Sequence, residues 1–265
     1  MILDAFRMNG QVAVVTGAGR GIGRGIAIAF AEAGADVVLA ARRPATLEAV
    51  AAEIRALGRK ALVVPTDVTE LAQLDRLIDA TTNEMGRIDT LVNNAGGWPP
   101  TIALQVDDAD LEKAFRFNVT APLHLARRAA PHLAKSANGS ILNVSSAMSH
   151  LVDSGFVAYG TVKAALNHMT RLLASEWAPK IRVNAIAAGA TKTDALEAFV
   201  QMPDLYAKMV AMTPMRRLGT TEDIAAAALF LSSPAGSWMT GKVIEVDGGT
   251  VATNWPMPIP NGLED

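Results

Sequence analysis

The sequence predicts an α/β protein built on a doubly wound, seven-stranded parallel sheet with helices on both faces. Three observations carry that expectation. Short β-branched runs alternate with longer helical patterns, the runs are apolar throughout rather than at every second residue, and glycines follow the first three helical segments. A parallel sheet is covered on both sides by its crossover helices, so its strands read as near-continuous apolar segments.

Seven strands are expected, at 12–16, 37–40, 61–64, 90–93, 141–144, 182–187 and 243–246. Helices fit between them at 22–33, 44–57 and 70–85. Each is closed by a glycine (Gly34, Gly58, Gly86), which takes the left-handed C-cap conformation at little cost. The stretch 107–133 reads as one long helix, and 158–177 as another whose apolar face runs through Leu166, Met169, Leu173 and Trp177 before Pro179. Two stretches break this rhythm: 191–214, expected to be a lid, and the proline-rich end NWPMPIPNGLED, expected to be an arm. No linker, repeat or low-complexity segment divides the chain. We therefore expect residues 1–265 to form a single domain, with the lid at about 191–214 and a C-terminal arm at about 250–265.

The chain has 265 residues, half of them apolar, and a formal net charge of −2. Lysines and arginines are dispersed, so no basic stripe offers a footprint for nucleic acid. With no cysteine there are neither disulfides nor thiolate metal ligands, and redox chemistry would need a borrowed cofactor. His124, His132, His150 and His168 show no paired ligand spacing, so no metal is expected. The opening MILDAFRMNGQVAVV lacks a targeting pattern, and apolar runs such as 224–231 are far short of a membrane span. A soluble cytoplasmic protein is the expectation.

The first strand passes into the first helix through VAVVTGAGRGIGRG, with Gly17, Gly19, Gly21 and Gly23 at alternate positions and Ile22 between the last two. Glycines there permit a sharp turn and let backbone amides approach a pyrophosphate at the positive end of the helix. The spacing is TG-x-x-x-G-x-G. At the end of the second strand an acidic residue would bind the ribose 2′-hydroxyl of NAD. Here that end reads VVLAARRP, with Ala41 where the acid would stand and Arg42 and Arg43 next. Arg20, inside the loop, can reach the same side. Guanidiniums without a carboxylate suit a 2′-phosphate, so NADP(H) is favoured, with NAD(H) possible.

The segment FVAYGTVKAAL places Tyr159 and Lys163 one helical turn apart on one face. A carbonyl that accepts hydride at carbon needs a proton at oxygen, and Tyr159 can supply it. A cation about 5 Å from the phenol, at an effective dielectric near 20, favours the phenolate by about 3 kcal/mol, or roughly two pK units. Burial disfavours phenolate and ammonium alike, and the sequence leaves the net shift open. Ser146 can donate a hydrogen bond to the substrate oxygen as charge develops there.

Taken together, TGAGRGIG (16–23), Asp67-Val68, NNAG (93–96), FN ending at Asn118, NVSS (143–146), Tyr159-x-x-x-Lys163 and VNAIAAG (183–189) resemble the short-chain dehydrogenase/reductase family, over about 11–249. The likeness includes its 3-oxoacyl-ACP reductase-like and hydroxysteroid dehydrogenase-like members. The resemblance implies a Rossmann-type fold and a catalytic set of Asn118, Ser146, Tyr159 and Lys163. Ser146 is chosen over Ser145 because it stands thirteen residues before Tyr159. It also implies that Lys163 holds the nicotinamide ribose and that Asn118 supports a water chain to Lys163. Asp67 and Val68 would lie along the adenine, Asn94, Ala95 and Gly96 would line the back of the cleft, and Thr193 would reach the carboxamide. One departure stands out. Ala188-Gly189 replaces the family's Pro-Gly, which frees φ and should loosen the turn under the nicotinamide.

Trp98, Met148, His150, Phe156, Met202, Tyr206 and Met209 are the expected substrate contacts; most are apolar or polarisable. The function expected is an NADP(H)-dependent oxidoreductase acting on CH–OH donors, interconverting a hydrophobic ketone and a secondary alcohol. The alternatives are a non-catalytic NADP(H) sensor or scaffold, and a dehydratase or epimerase on the same frame. The family resemblance implies a homotetramer, or a homodimer, formed through the helices at 107–133 and 158–177 and through the last helix and strand. The tail from Asn254 is expected to cross to a neighbouring subunit.

Overall fold

In the computed structural model, residues 1–194, 196, 201–260 and 263 are described. Strands β1 (Val12–Thr16), β2 (Asp36–Ala41), β3 (Ala61–Pro65), β4 (Thr90–Asn93), β5 (Ser140–Ser146), β6 (Arg182–Ala188) and β7 (Val243–Val246) form one sheet. Its order is β3-β2-β1-β4-β5-β6-β7, and every pairing is parallel.

Alternate residues of each strand serve opposite faces, as the pleat requires. Ala13 and Val15 of β1 join Leu39 and Ile186 in one apolar cluster, and Val12 and Val14 join Val38 and Ile141 in the other. The first face is covered by α1 (Gly21–Glu32), α2 (Pro44–Ala56) and α8 (Thr221–Ser232) through Phe30, Ile54 and Leu231. The second is covered by α3 (Leu71–Met85), α5 (Ala121–Leu133) and α6 (Val157–Trp177) through Leu77, Leu125 and Leu173. Strands buried on both faces explain the continuous apolar runs. Gly34, Gly58 and Gly86 have φ of +104°, +75° and +77°, the left-handed caps that their positions predict.

One expected helix is interrupted. The stretch 107–133 divides into α4 (Asp108–Phe115), a π-helical turn (Arg116–Thr120) and α5. Pro122 supplies the reason: in a regular helix its amide would bond the carbonyl of Asn118, and proline has no N–H to give. The turn widens there, and Ala121 N–H reaches back to Arg116 O instead.

The described residues of the tail are anchored to their own chain: Asn254 Nδ2 donates to Thr213 Oγ1 at 2.9 Å, and Lys208 Nζ donates to the Pro256 carbonyl at 2.8 Å. Both partners belong to the segment 191–214, whose described part contains α7 (Pro203–Met212). Residues 195, 197–200, 261, 262, 264 and 265 of the expected lid and arm lie outside the described residues. Among the described residues no helix is long and apolar enough to cross a membrane.

Asp89, fully buried just before β4, locks the lower end of the sheet. One carboxylate oxygen accepts from Val12 N and Arg87 Nε, both at 2.8 Å, and the other from Arg87 and the Ser136 hydroxyl. Replacing Asp89 by alanine strands these donors inside the protein, so D89A is expected to lose about 3 kcal/mol of stability. D89N, which keeps part of the bonding, should lose less; urea midpoints measured at constant slope decide.

Candidate active site

The order of the sheet reverses between β1 and β4, which are neighbours although β2 follows β1 in sequence. Crossovers on either side of that reversal leave a crevice beyond the carboxyl ends of the strands. There the structure has a cleft of about 1260 Å³, larger than most small-ligand pockets and roomy enough for a dinucleotide beside a second molecule.

The glycine loop forms one wall. Gly17 has φ +66°, and a Cβ there would sit 2.6 Å from Asn94 Nδ2. A Cβ on Gly23 would sit 2.3 Å from the Gly17 carbonyl, so this glycine lets α1 pack under the loop and does not itself line the cleft. The loop rests on the NNAG turn. Thr16 Oγ1 accepts from the amides of Asn94 and Ala95 at 3.0 and 3.1 Å, and Asn94 Nδ2 donates to Thr16 O at 2.9 Å. Gly17, Gly19, Arg20, Gly21 and Ile22 line the cleft on this side, as do Asn94, Ala95 and Gly96 opposite. An open loop of backbone amides at the start of α1 fits the pyrophosphate of a nicotinamide dinucleotide.

Ala41, Arg42, Arg43, Asp67 and Val68 line the far end. The hydroxyl and amide of Thr69 donate to Asp67, and with Arg42 nearby they hold its carboxyl below the ordinary range. Arg42 and Arg43 are exposed where β2 passes into α2. Arg20 lies across the cleft mouth in an exposed ion pair with Asp194 at 3.0 Å. Thr193 and Gly189 line the near end.

The turn that lacks the family's proline is held by other bonds. Gly189 N donates to Val246 O at 3.0 Å, while Gly219 N and O bond Ala190 O and Lys192 N at 3.0 and 2.8 Å. These bonds pin the turn after Ala188 to β7 and to Gly219.

Ser146 ends β5, and Tyr159 and Lys163 lie on the first two turns of α6. The Ser146 hydroxyl lies near the Tyr159 phenol and accepts from Met148 N at 3.2 Å, while the Ser145 hydroxyl donates to Lys163 O at 3.4 Å. Lys163 is buried, donates to Val144 O at 3.0 Å, and places Nζ 5.8 Å from the centre of the Tyr159 ring. Burial raises the Tyr159 hydroxyl above its ordinary pKa, and the Ser146 hydrogen bond only partly offsets it. Burial also lowers Lys163 to about 8. The balance left open by the sequence thus falls toward a protonated phenol.

Asn118 sits in the π turn and does not line the cleft. Its Oδ1 accepts from Gly97 N at 2.9 Å, and its Nδ2 donates to Gly97 O and Ala114 O at 3.1 and 2.9 Å. A Cβ on Gly96 would lie 2.8 Å from Asn118 Oδ1 and 2.9 Å from Lys163 Nζ, so both side chains converge on that glycine.

Among the expected substrate contacts, Trp98, Met148, Phe156 and Met209 line the cleft. His150, Met202 and Tyr206 do not. His150 turns outward, 3.7 Å from Glu245, because the short helical turn after Ser146 carries it past the opening. Met202 is half exposed where it caps α7, and the Tyr206 ring lies under Lys192 Nζ at 5.4 Å, so only Met209 on that helix faces inward. Leu151 and the tail residues Thr253, Asn254 and Trp255 line the cleft without having been singled out from the sequence. A lone tryptophan among prolines was the one available signal.

The chain belongs to the short-chain dehydrogenase/reductase family: the family model described as enoyl-(acyl carrier protein) reductase matches residues 17–251. It is an oxidoreductase acting on CH–OH donors with a nicotinamide nucleotide. It is 49% identical over 262 residues to an uncharacterized oxidoreductase of Mycobacterium tuberculosis, covering 98% of this chain and all of the relative. It is 41% identical to the 7alpha-hydroxysteroid dehydrogenase of Escherichia coli K12, covering 94% and 97%. Among solved structures, a 7 alpha-hydroxysteroid dehydrogenase complexed with NADH and 7-oxo glycochenodeoxycholic acid superposes with a TM-score of 0.90 at 41% identity, covering 95% and 98%. A gluconate 5-dehydrogenase from Burkholderia cenocepacia in complex with NADP and tartrate gives 0.87 at 32%, covering 94% and 98%.

The Lys163 environment makes a prediction about stability. An unfolded lysine titrates near 10.4, and the folded one near 8, so between those values the unfolded chain binds more protons and stability rises with pH. Below pH 8 the charged, buried ammonium costs about 3 kcal/mol; losing its bond to Val144 O would return about 1. K163M is therefore expected to be more stable than the parent by about 2 kcal/mol at pH 7, with the gap closing toward pH 10. Denaturant unfolding at both pH values measures this.

Proposed function

We propose that this enzyme interconverts a hydrophobic ketone and its secondary alcohol with NADP(H), Tyr159 moving the proton. The observation that carries the reading is the meeting of Tyr159, Ser146 and Lys163 in the same cleft as the glycine loop. When bound, the cofactor supplies the hydride at its nicotinamide carbon. Amides of the loop at Gly17–Gly21 would hold its pyrophosphate, and Lys163 its nicotinamide ribose. Arg42 and Arg43, with no carboxylate at Ala41, favour a 2′-phosphate; Arg20 joins them once it leaves Asp194. The related structures hold NADH in one case and NADP in another, so this preference rests on the arginines alone.

The chemistry then follows from the side chains. Ser146 donates to the carbonyl oxygen and fixes it beside the phenol. Tyr159, held protonated by its burial, gives its proton to that oxygen as negative charge develops. Reduction therefore starts from the protonation state that the site already favours. The Lys163 ammonium stabilises the resulting phenolate, and Asn118 keeps the 96–97 backbone in place behind it.

The lining around Tyr159 (Met148, Leu151, Phe156, Met209) supports an apolar substrate. We read the chain as a single cytoplasmic domain with a lid at 191–214 and an arm at 250–265. Exposed Leu111, Phe115, Val157 and Leu172 on α4 and α6 support a homotetramer.

Y159F should consume reduced cofactor at least about a thousandfold more slowly with a ketone panel while binding it normally. Equal rates in both proteins would overturn the reading. Replacing Arg42 and Arg43 by alanine should weaken NADPH about tenfold to a hundredfold and leave NADH within about twofold, read by cofactor titration.

A further inference from the structure

After β7 the chain turns back toward its own active site. Gly248 and Gly249 adopt φ of +73° and +81°, and Gly248 O accepts from Met215 N at 3.1 Å, which directs the chain along the 191–214 segment. Thr250 is buried, with its hydroxyl donating to Asp247 O at 2.8 Å. Two bonds follow, from Asn254 to Thr213 and from Lys208 to Pro256. Further on, Ile259 packs against Gly155, its Cδ1 2.6 Å from where a Cβ on that glycine would stand.

These anchors hold Trp255 at one position. Its indole meets the Phe156 ring edge to face, with centroids 5.4 Å apart and planes at 82°. Phe156 caps α6 three residues before Tyr159, and both aromatic residues line the cleft with it. Two rings at nearly a right angle make an apolar corner, which Met148, Leu151 and Met209 extend. The arginines of the cleft belong to the glycine loop, the end of β2 and the π turn, and Lys113 to α4. Asn254, the nearest amide in sequence, has its Nδ2 engaged by Thr213.

We propose that Trp255 is the specificity-determining wall of the substrate pocket, selecting rigid fused-ring ketones over small or polyhydroxylated ones. A fused ring presents a flat apolar face and edge that match such a corner, whereas a small ketone leaves it unfilled and a polyol leaves hydroxyls unpaired. The proposal deepens the ketone reading and rests on it only for turnover, because binding is measured separately.

The probes are 2-decalone and 2-butanone, with wild type, W255A and W255F. Calorimetry on enzyme loaded with oxidised cofactor, which has no hydride to give a ketone, measures affinity, and the loss of nicotinamide absorbance with reduced cofactor measures turnover. W255A should bind 2-decalone about tenfold more weakly and W255F within about threefold of wild type, with 2-butanone losing clearly less than 2-decalone in W255A. Equal 2-decalone affinity in wild type and W255A, or no 2-decalone binding by wild type, overturns the proposal. So does an equal loss for both ketones, which would make Trp255 a general structural support. If W255A does not fold, W255L takes its place in the comparison. Binding of 2-decalone without turnover would remove the ketone reading and leave the wall standing.

Discussion

The constraint on which the rest depends is the reversal of strand order between β1 and β4. Crossovers that wind in opposite directions from neighbouring strands cannot both cover the carboxyl ends, so the sheet itself leaves a crevice there. The glycine loop follows β1, the NNAG turn follows β4, and Ser146 ends β5, so three separate motifs reach one place because parallel strands end on the same side. Thr16 then ties the first two together: its single hydroxyl accepts from the Asn94 and Ala95 amides and donates to Val92 O.

Within that crevice, burial governs the protonation states. The Lys163 ammonium would favour the Tyr159 phenolate, yet the desolvation that lowers Lys163 to about 8 also raises Tyr159. A charge weakens as a partner when its own charged form is penalised. The site therefore holds a neutral phenol beside a lysine that sheds its proton only about one unit above neutrality. Such a pair is ready to give a proton to an oxygen, and Ser146 marks where that oxygen belongs.

Most of the fold was legible because its signals are local. Apolar runs, glycine caps and the glycine loop each act within a few residues, and their boundaries in the structure differ from expectation by a residue or two. The one misjudged helix shows what local patterns conceal. The apolar period continues through 107–133, but Pro122 removes one amide, and that single loss opens the π turn that seats Asn118. The substrate side was less legible. Met209 faces inward while Met202 and Tyr206 do not, and all three are apolar or aromatic residues in or beside one short helix. Which of them turns inward depends on where α7 packs, and no spacing along the chain states that. His150 failed for a related reason: one turn beyond Ser146 is enough to carry a side chain from the cleft to Glu245.

The tail marks the limit of such reading. Its prolines exclude regular structure, and its tryptophan invites burial, but neither says against what. The answer lies in contacts 40 or more residues distant, from Asn254 to Thr213 and from Lys208 to Pro256, with Trp255 to Phe156 about twice as far. Cofactor contacts come from motifs at strand ends, where geometry is dictated by the sheet. Substrate contacts come from the segments least constrained by it. A cleft built this way can keep one hydride chemistry while its tail wall changes, since Trp255 lies in no strand and in no glycine turn.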